Sequence, residues 1–291
     1  MSDLLYPMGL NAPGYVPDPK KCRVWFFGAP FDATVCYLSG SRFGPKVFRE
    51  AFVQNEVYDI KTNTNLLDIG FFDLGELEVV KESAEATIKR VQEQTAHILK
   101  KNKFPVMIGG EHTLTAGCVW ACAEKFKDLK VVQIDAHDDM REEFEGSKFD
   151  HACAMHLCAD KIGNRNILGI GIRASPAANM KFKDNIIFRY QLREDFGAAK
   201  KKLENFVKDS NVYITIDMDG FDPGIAPGVG TPEPDGILYH EALELIKVLK
   251  NAKKIVGMDI VELRPLPDNN VTEMTASKFF METMAQLKSK I

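Results

Sequence analysis

Short apolar runs alternate with amphipathic stretches along the chain. The runs are Val24–Phe27, Pro105–Ile108, Val131–Ile134, Ile167–Ile170, Val212–Ile216 and Ile255–Met258. Each is short and apolar on both faces, as expected of strands in a parallel sheet covered by helices. The stretches between them read as helices. Residues 82–100 place Ile88, Val91, Ile98 and Leu99 roughly on one face, and residues 240–250 carry Ala242, Leu243, Leu245, Ile246 and Leu249. Phe280, Met284, Leu287 and Ile291 recur at i, i+4, i+7 and i+11, which predicts a C-terminal helix. Strands alternating with helices predict an α/β fold with a mostly parallel central sheet. Ligands bind such sheets at the carboxyl ends of the strands, so chemistry is sought just after each run.

Three runs lead into charged clusters. Val131–Ile134 is followed by Asp135-Ala136-His137-Asp138-Asp139, Val212–Ile216 by Asp217-Met218-Asp219, and Pro105–Ile108 by Gly109-Gly110-Glu111-His112. At a strand end, a period of two sends Asp135, His137 and Asp139 toward the same side. An isolated Asp-x-Asp is more often a turn or a cap; the reading rests on the three strand ends together. Ionised carboxylates are costly to gather unless positive charge offsets them. Four Asp and two His converging on one sheet edge therefore point to divalent metal, and four carboxylates favour a bridged pair over one ion. The donors are oxygen and imidazole without thiolate, which suits Mn²⁺ better than structural Zn²⁺. A two-metal site lowers the pKa of a bridging water, making hydroxide at neutral pH.

Composition narrows the rest. The 291 residues hold 37 Lys plus Arg against 41 Asp plus Glu, a formal net charge of −4, which argues against a nucleic-acid partner. That average hides an uneven distribution. Residues 133–151 hold seven acids and two bases, and residues 211–236 five acids and no base, so the remainder is net basic. No apolar stretch approaches the length of a transmembrane helix, and the start lacks the pattern of a secretory signal. Six sparse cysteines without Cys-x-x-Cys read as reduced thiols in a cytoplasmic protein. Pro and Gly cluster in residues 7–19, so residues 1–21 are expected to form an extended arm and residues 22–291 one catalytic domain. Gly169-Ile170-Gly171-Ile172-Arg173-Ala174 fits a loose dinucleotide pattern, but Pro176 follows and no helix opens there, so the glycines are read as a tight turn. His97 reads as a surface or satisfied histidine, and His156 and His240 have no partner motif.

The combination resembles the ureohydrolases, the arginase and agmatinase family. The pieces stand in the family's order: Gly109-Gly110-Glu111-His112, Asp135-Ala136-His137-Asp138-Asp139, Asp150-His151-Ala152, Asp217-Met218-Asp219-Gly220-Phe221-Asp222-Pro223, Gly230-Thr231-Pro232-Glu233-Pro234 and Asp259-Ile260-Val261-Glu262. The resemblance covers roughly residues 22–285. It implies a three-layer α/β/α sandwich and two Mn²⁺ ions per subunit. One ion would be held by His112, Asp135, Asp139 and Asp217, the other by Asp135, His137, Asp217 and Asp219. His151 matches the family's proton-shuttling histidine and titrates in a suitable range, and Glu262 matches the glutamate that pairs with the substrate's guanidinium. Asp139 would accept a hydrogen bond from the attacking hydroxide. The expected reaction releases urea and an amine, and the subunits are expected to form a trimer or hexamer.

The substrate tail follows from smaller differences. Glu142 to Asp150 does not match the arginase loop that reads an α-amino acid, and looks like the agmatinase branch. Its acids suit agmatine, which would yield putrescine and urea. Arg264 stands where the family commonly has Asn or Ser; pointing into the pocket, it would favour an anionic tail such as that of guanidinobutyrate, and arginine stays open as a third guanidino substrate. Binuclear phosphatases need a downstream Gly-Asp-x-x-Asp-Arg that is absent, and a one-zinc deacetylase should lack Asp139 and the double aspartate. A metal-binding pseudoenzyme would have lost His151 or Glu262. Cys153, two residues after His151, is expected near the site and sensitive to thiol reagents, unless it is a small buried residue.

Overall fold

The computed structural model describes the strand Leu5–Tyr6 and residues 18–291. Most of the predicted arm over residues 1–21 lies outside the described residues. Leu5–Tyr6 (β1) pairs antiparallel with one edge of the sheet. The remaining strands are Val24–Ala29 (β2), the small hairpin Tyr58–Asp59 (β3) and Thr64–Asn65 (β4), Phe71–Leu77 (β5), Phe104–Gly109 (β6), Leu129–Ile134 (β7), Ile167–Ile172 (β8), Ile186–Phe188 (β9), Asn211–Asp217 (β10) and Lys254–Val261 (β11). The central sheet runs β1-β5-β2-β6-β11-β10-β7-β8-β9, parallel throughout apart from β1. All six apolar runs fall within its strands.

The period of two sorts the strand side chains between two cores. Val24, Phe26, Val106, Ile108, Val132, Ile134, Val212, Ile214 and Ile216 face one side. There they meet helices Gly44–Phe52 (α1), Phe196–Val207 (α6), Tyr239–Val248 (α7) and Val271–Leu287 (α8). Trp25, Phe27, Met107, Val131 and Tyr213 face the other side, against Ala84–Lys100 (α2), Thr115–Lys125 (α3) and Ala154–Ile162 (α4). A short helix, Arg189–Glu194 (α5), follows β9. Helices on both faces of a parallel sheet make the three-layer sandwich.

Two helix boundaries differ from the periodicity reading. The C-terminal helix ends at Leu287, so Ile291 packs against the core from beyond it. The 240–250 helix gives way after Val248 to a tighter turn, Leu249–Asn251. Near residue 82 the start is set by Ser83, whose hydroxyl accepts from the Ala86 N–H at 3.1 Å.

Strand β5 escaped the apolar-run reading because it carries Asp73 and Glu76. Both answer Arg49, a fully buried cation of α1, with Arg49 Nε and Nη2 on the two Asp73 oxygens at 2.7 and 3.0 Å. Removing one partner of such a buried pair leaves an uncompensated charge.

The strand order positions the site. The neighbours β6, β11, β10 and β7 end side by side, although they lie far apart in sequence. Gly110 follows β6, and a Cβ there would sit 1.9 Å from the Phe31 carbonyl oxygen, so only glycine lets that segment approach.

Candidate metal centre and pocket

Each charged cluster projects from one of those four strand ends. Asp135, Asp139, Asp217, Asp219 and His112 are buried, and His137 is partly exposed. His112 Nδ1 lies 3.0 Å from Asp135 Oδ2, 2.9 Å from Asp139 Oδ2 and 3.2 Å from Asp217 Oδ2. His137 Nδ1 lies 3.0 Å from Asp219 Oδ2 and 3.7 Å from Asp135 Oδ1. The atoms of His112, Asp135 and Asp139 converge within one ion's reach, as do those of Asp135, His137 and Asp219. Asp135 turns one oxygen to each group.

The surroundings aim these donors. His112 Nε2 contacts Thr215 Oγ1 at 2.9 Å, which leaves Nδ1 for the cluster. Asp135 accepts from Gln133 Nε2 at 2.7 Å and from the His137 N–H at 2.6 Å. Asp219 Oδ2 accepts from Thr231 Oγ1 at 3.0 Å, and Asp217 Oδ1 from the Asp219 N–H at 2.8 Å. Asp139 and Glu262 both adopt positive φ, 50° and 60°, in a region costly for side-chain-bearing residues.

The electrostatics ask for a cation. Burial, then the charges of Asp219 and Asp135, push the Asp217 carboxyl well above the carboxylate range. Burial and Asp135 push Asp139 up to about 7. Burial opposes charge on His112, yet Asp135, Asp139 and Asp217 raise it well above the ordinary histidine range. Four carboxylates this close stay ionised together only beside positive charge. His112 Nδ1 is buried without a hydrogen-bond partner of proper geometry. An oxygen-rich set with two imidazoles and an orphaned ring nitrogen fits a pair of divalent ions.

A cavity of about 370 Å³ opens onto the cluster. Its wall includes His137, Asp139, Asp217, Asp219, His151 and Glu262. Glu262 Oε1 accepts from the His112 backbone N–H at 2.8 Å. Burial and the neighbouring Glu111 push the Glu262 carboxyl well above its usual range, so it too favours a cation. His151 departs from the sequence expectation. Burial, reinforced by His137, pushes it down to about 4, so its ring is neutral near neutral pH.

One sequence reading of the pocket is corrected, and two alternatives left open are decided, with Cys153 the small buried residue. Glu142, Glu143 and Glu145 do not line it; residues 141–150 contribute Arg141 and Phe144, the guanidinium lying 4.7 Å from the ring centre. Arg264 is also absent from the wall, and its Nε donates to the Ser39 carbonyl at 2.9 Å. Cys153 is buried outside the wall, and burial pushes its thiol up to about 12.

The thiol in the wall is Cys36, which no motif marked. The residue is exposed, and partial desolvation at the cavity mouth, with the nearby Asp150 and Glu145 carboxylates, raises its thiol above the ordinary value of 9.0. The thiolate is the reactive form, so alkylation by N-ethylmaleimide is expected to be slow at neutral pH and to accelerate as pH rises. The resulting inactivation should vanish in Cys36→Ser and persist in Cys153→Ser; the reverse result would remove Cys36 from the wall. Thr231 and Glu233 also line the cavity, and stood in a recognisable motif without an assigned role.

Comparison with known proteins places this arrangement. A family profile described as Arginase family matches residues 22–285. The chain is 33% identical over 273 residues to the agmatinase of Bacillus anthracis, covering 92% of this chain and 93% of that protein. It is also 33% identical over 271 residues to the N(1)-aminopropylagmatine ureohydrolase of Synechocystis sp., covering 88% and 86%. The crystal structure of the agmatine ureohydrolase of Thermoplasma volcanium superposes with a TM-score of 0.88 at 35% identity, over 97% of this chain and 95% of that one.

Proposed function

Because the chain belongs to the arginase family, we propose that it hydrolyses a guanidino carbon–nitrogen bond, releasing urea and an amine. The observation that carries this is the pair of ligand groups sharing Asp135, on a wall that also holds His151 and Glu262. Two Mn²⁺ ions, one on His112, Asp135, Asp139 and Asp217 and one on Asp135, His137, Asp217 and Asp219, would supply Lewis acidity and acidify water enough to act near neutral pH. The chain's own groups do the rest. Glu262 Oε1 is engaged by His112, and the other carboxylate oxygen serves the planar cation. Asp139 accepts a hydrogen bond from the attacking water and orients it. His151 lines the cavity with Nε2 buried and unpaired, placed to relay a proton from the nucleophile to the departing amine. With His151 and Glu262 both in the wall, nothing favours a pseudoenzyme.

For the substrate we propose agmatine, giving putrescine and urea. The agmatinase of Bacillus anthracis at 33% identity supports it, and Glu233 in the wall suits a second cationic end. Arg264 no longer argues against it. One observation favours a second reading: Arg141 lines the wall, and a cation there suits an anionic tail such as guanidinobutyrate. Urea release with added Mn²⁺ should be compared for agmatine, aminopropylagmatine, guanidinobutyrate and arginine. Agmatine is expected to give the highest kcat/KM. Preference for another compound overturns the substrate and keeps the chemistry; no urea from any of them overturns the chemistry. Residues 22–291 as one catalytic unit, a cytoplasmic setting and a trimer or hexamer belong to the same proposal. Among the described residues, no helix is long and apolar enough to cross a membrane.

A further inference from the structure

Glu111 is fully buried beside His112, yet the mechanism above leaves it without a task. Its oxygens both go to one residue: Oε2 accepts from the Thr34 backbone N–H at 2.8 Å, and Oε1 accepts from the Thr34 hydroxyl at 2.6 Å. Among the described residues no cation pairs with it. A buried carboxyl group with both oxygens committed to a single residue is not explained by stability alone. The Thr34 hydroxyl, its proton committed to Glu111, accepts in turn from the His151 backbone N–H at 3.0 Å. The same segment is anchored again where the Glu111 N–H donates to the Phe31 carbonyl and the Gly110 N–H to the Ala29 carbonyl, both at 2.8 Å.

We infer that Glu111 and Thr34 are positioning residues that fix His151 relative to the metal cluster. Glu111 is bonded in sequence to the ligand His112, and through one hydroxyl it reaches the backbone of the proton-transfer histidine, 40 residues along the chain. A hydroxyl is needed because it must donate and accept at once. The turn after His151 is tied to the cluster separately, where the Asp139 carbonyl accepts from the Met155 and His156 N–H groups at 3.0 and 3.1 Å and the Arg141 N–H donates to the Ala152 carbonyl at 3.2 Å; the Thr34 hydroxyl is the contact made by the His151 N–H itself. Asp150 Oδ1 holds the Ala152 N–H at 3.0 Å, and the Phe144 ring lies edge-on to His151 at 6.4 Å. Neither of these two engages the His151 N–H. The inference rests on the proton-transfer reading of His151.

The test is a kinetic comparison of Mn²⁺-loaded variants on the best guanidino substrate. Thr34→Val keeps the shape and removes the hydroxyl. Since a displacement of about 1 Å can cost on the order of 10²-fold, it should lower kcat roughly 10- to 100-fold, with KM and metal content unchanged. Thr34→Ser should restore most of the rate. Glu111→Gln, which keeps one acceptor should Thr34→Val fold poorly, should fall between. In a His151→Asn background, Thr34→Val should cost little further. An unchanged kcat in Thr34→Val beside an impaired His151→Asn overturns this inference alone. An equal loss from Thr34→Val in both backgrounds also overturns it. A wild-type kcat in His151→Asn overturns the proton-transfer reading and this inference with it.

Discussion

Asp135→Asn is expected to lower kcat/KM on the order of 10³-fold or more, because two-metal activation contributes several kcal/mol to the transition state at 1.36 kcal/mol per tenfold. Asp135 sends Oδ2 toward His112 and Oδ1 toward His137, so one neutral amide weakens both groups at once. The fold should tolerate the change. Asparagine still presents an oxygen to the His137 N–H, and one fewer carboxylate relieves crowding with Asp139 and Asp217. Gln133 Nε2 loses an acceptor and His112 and His137 lose an anionic partner, so the metal-free variant should melt somewhat below the metal-free parent, and the rise in Tm on adding Mn²⁺ should shrink. Metal content by mass spectrometry and urea release check both halves. Two tightly held ions and a normal rate in Asp135→Asn would show that Asp135 does not bridge. Retained activity in a His137→Ala, Asp217→Ala double variant would falsify the centre as a whole.

The convergence of His112, Asp135, His137, Asp139, Asp217 and Asp219 was legible in the chain because three strand ends carry them. The runs before His112, Asp135 and Asp217 are apolar on both faces, so they had to be central strands, and a strand end fixes side-chain direction. What the sequence left open was where loop side chains point. Residues 142, 143 and 145 are acidic, but Glu145 and Gly146 both take positive φ between the paired Phe144 and Ser147. That tight turn leaves the glutamates in solvent and Phe144 in the cavity wall. Arg264 is drawn away by the Ser39 carbonyl, a contact between segments 225 positions apart that no local pattern encodes. Cys153 follows His151 by two residues, but the intervening turn, His151–Cys153, is helical, so proximity in sequence did not place both in the pocket. Strand β5 was hidden by the two acids that serve Arg49.

Glu262→Gln is the other substitution with a large expected effect. Glu262 follows β11 with its backbone N–H on the Gly110 carbonyl at 2.8 Å and a φ of 60°, so its placement is held by the fold against its own backbone preference. Glutamine is nearly the same shape, and its amide oxygen can still accept from the His112 N–H. What it loses is the charge that meets the guanidinium. Removing one partner of a buried, hydrogen-bonded charge pair costs roughly 2–5 kcal/mol, or about 30-fold to several thousand-fold in kcat/KM. The loss should appear largely in KM, because the pairing already exists in the bound substrate. Metal content should not change. Glu262→Gly separates the two demands on this position: it removes the φ strain, so Tm should hold, yet it should be at least as inactive. Loss of metal together with activity in Glu262→Gln would mean that the residue acts through His112. An unchanged KM would mean that the cation is met elsewhere on the wall, with Glu233 the next carboxylate to test.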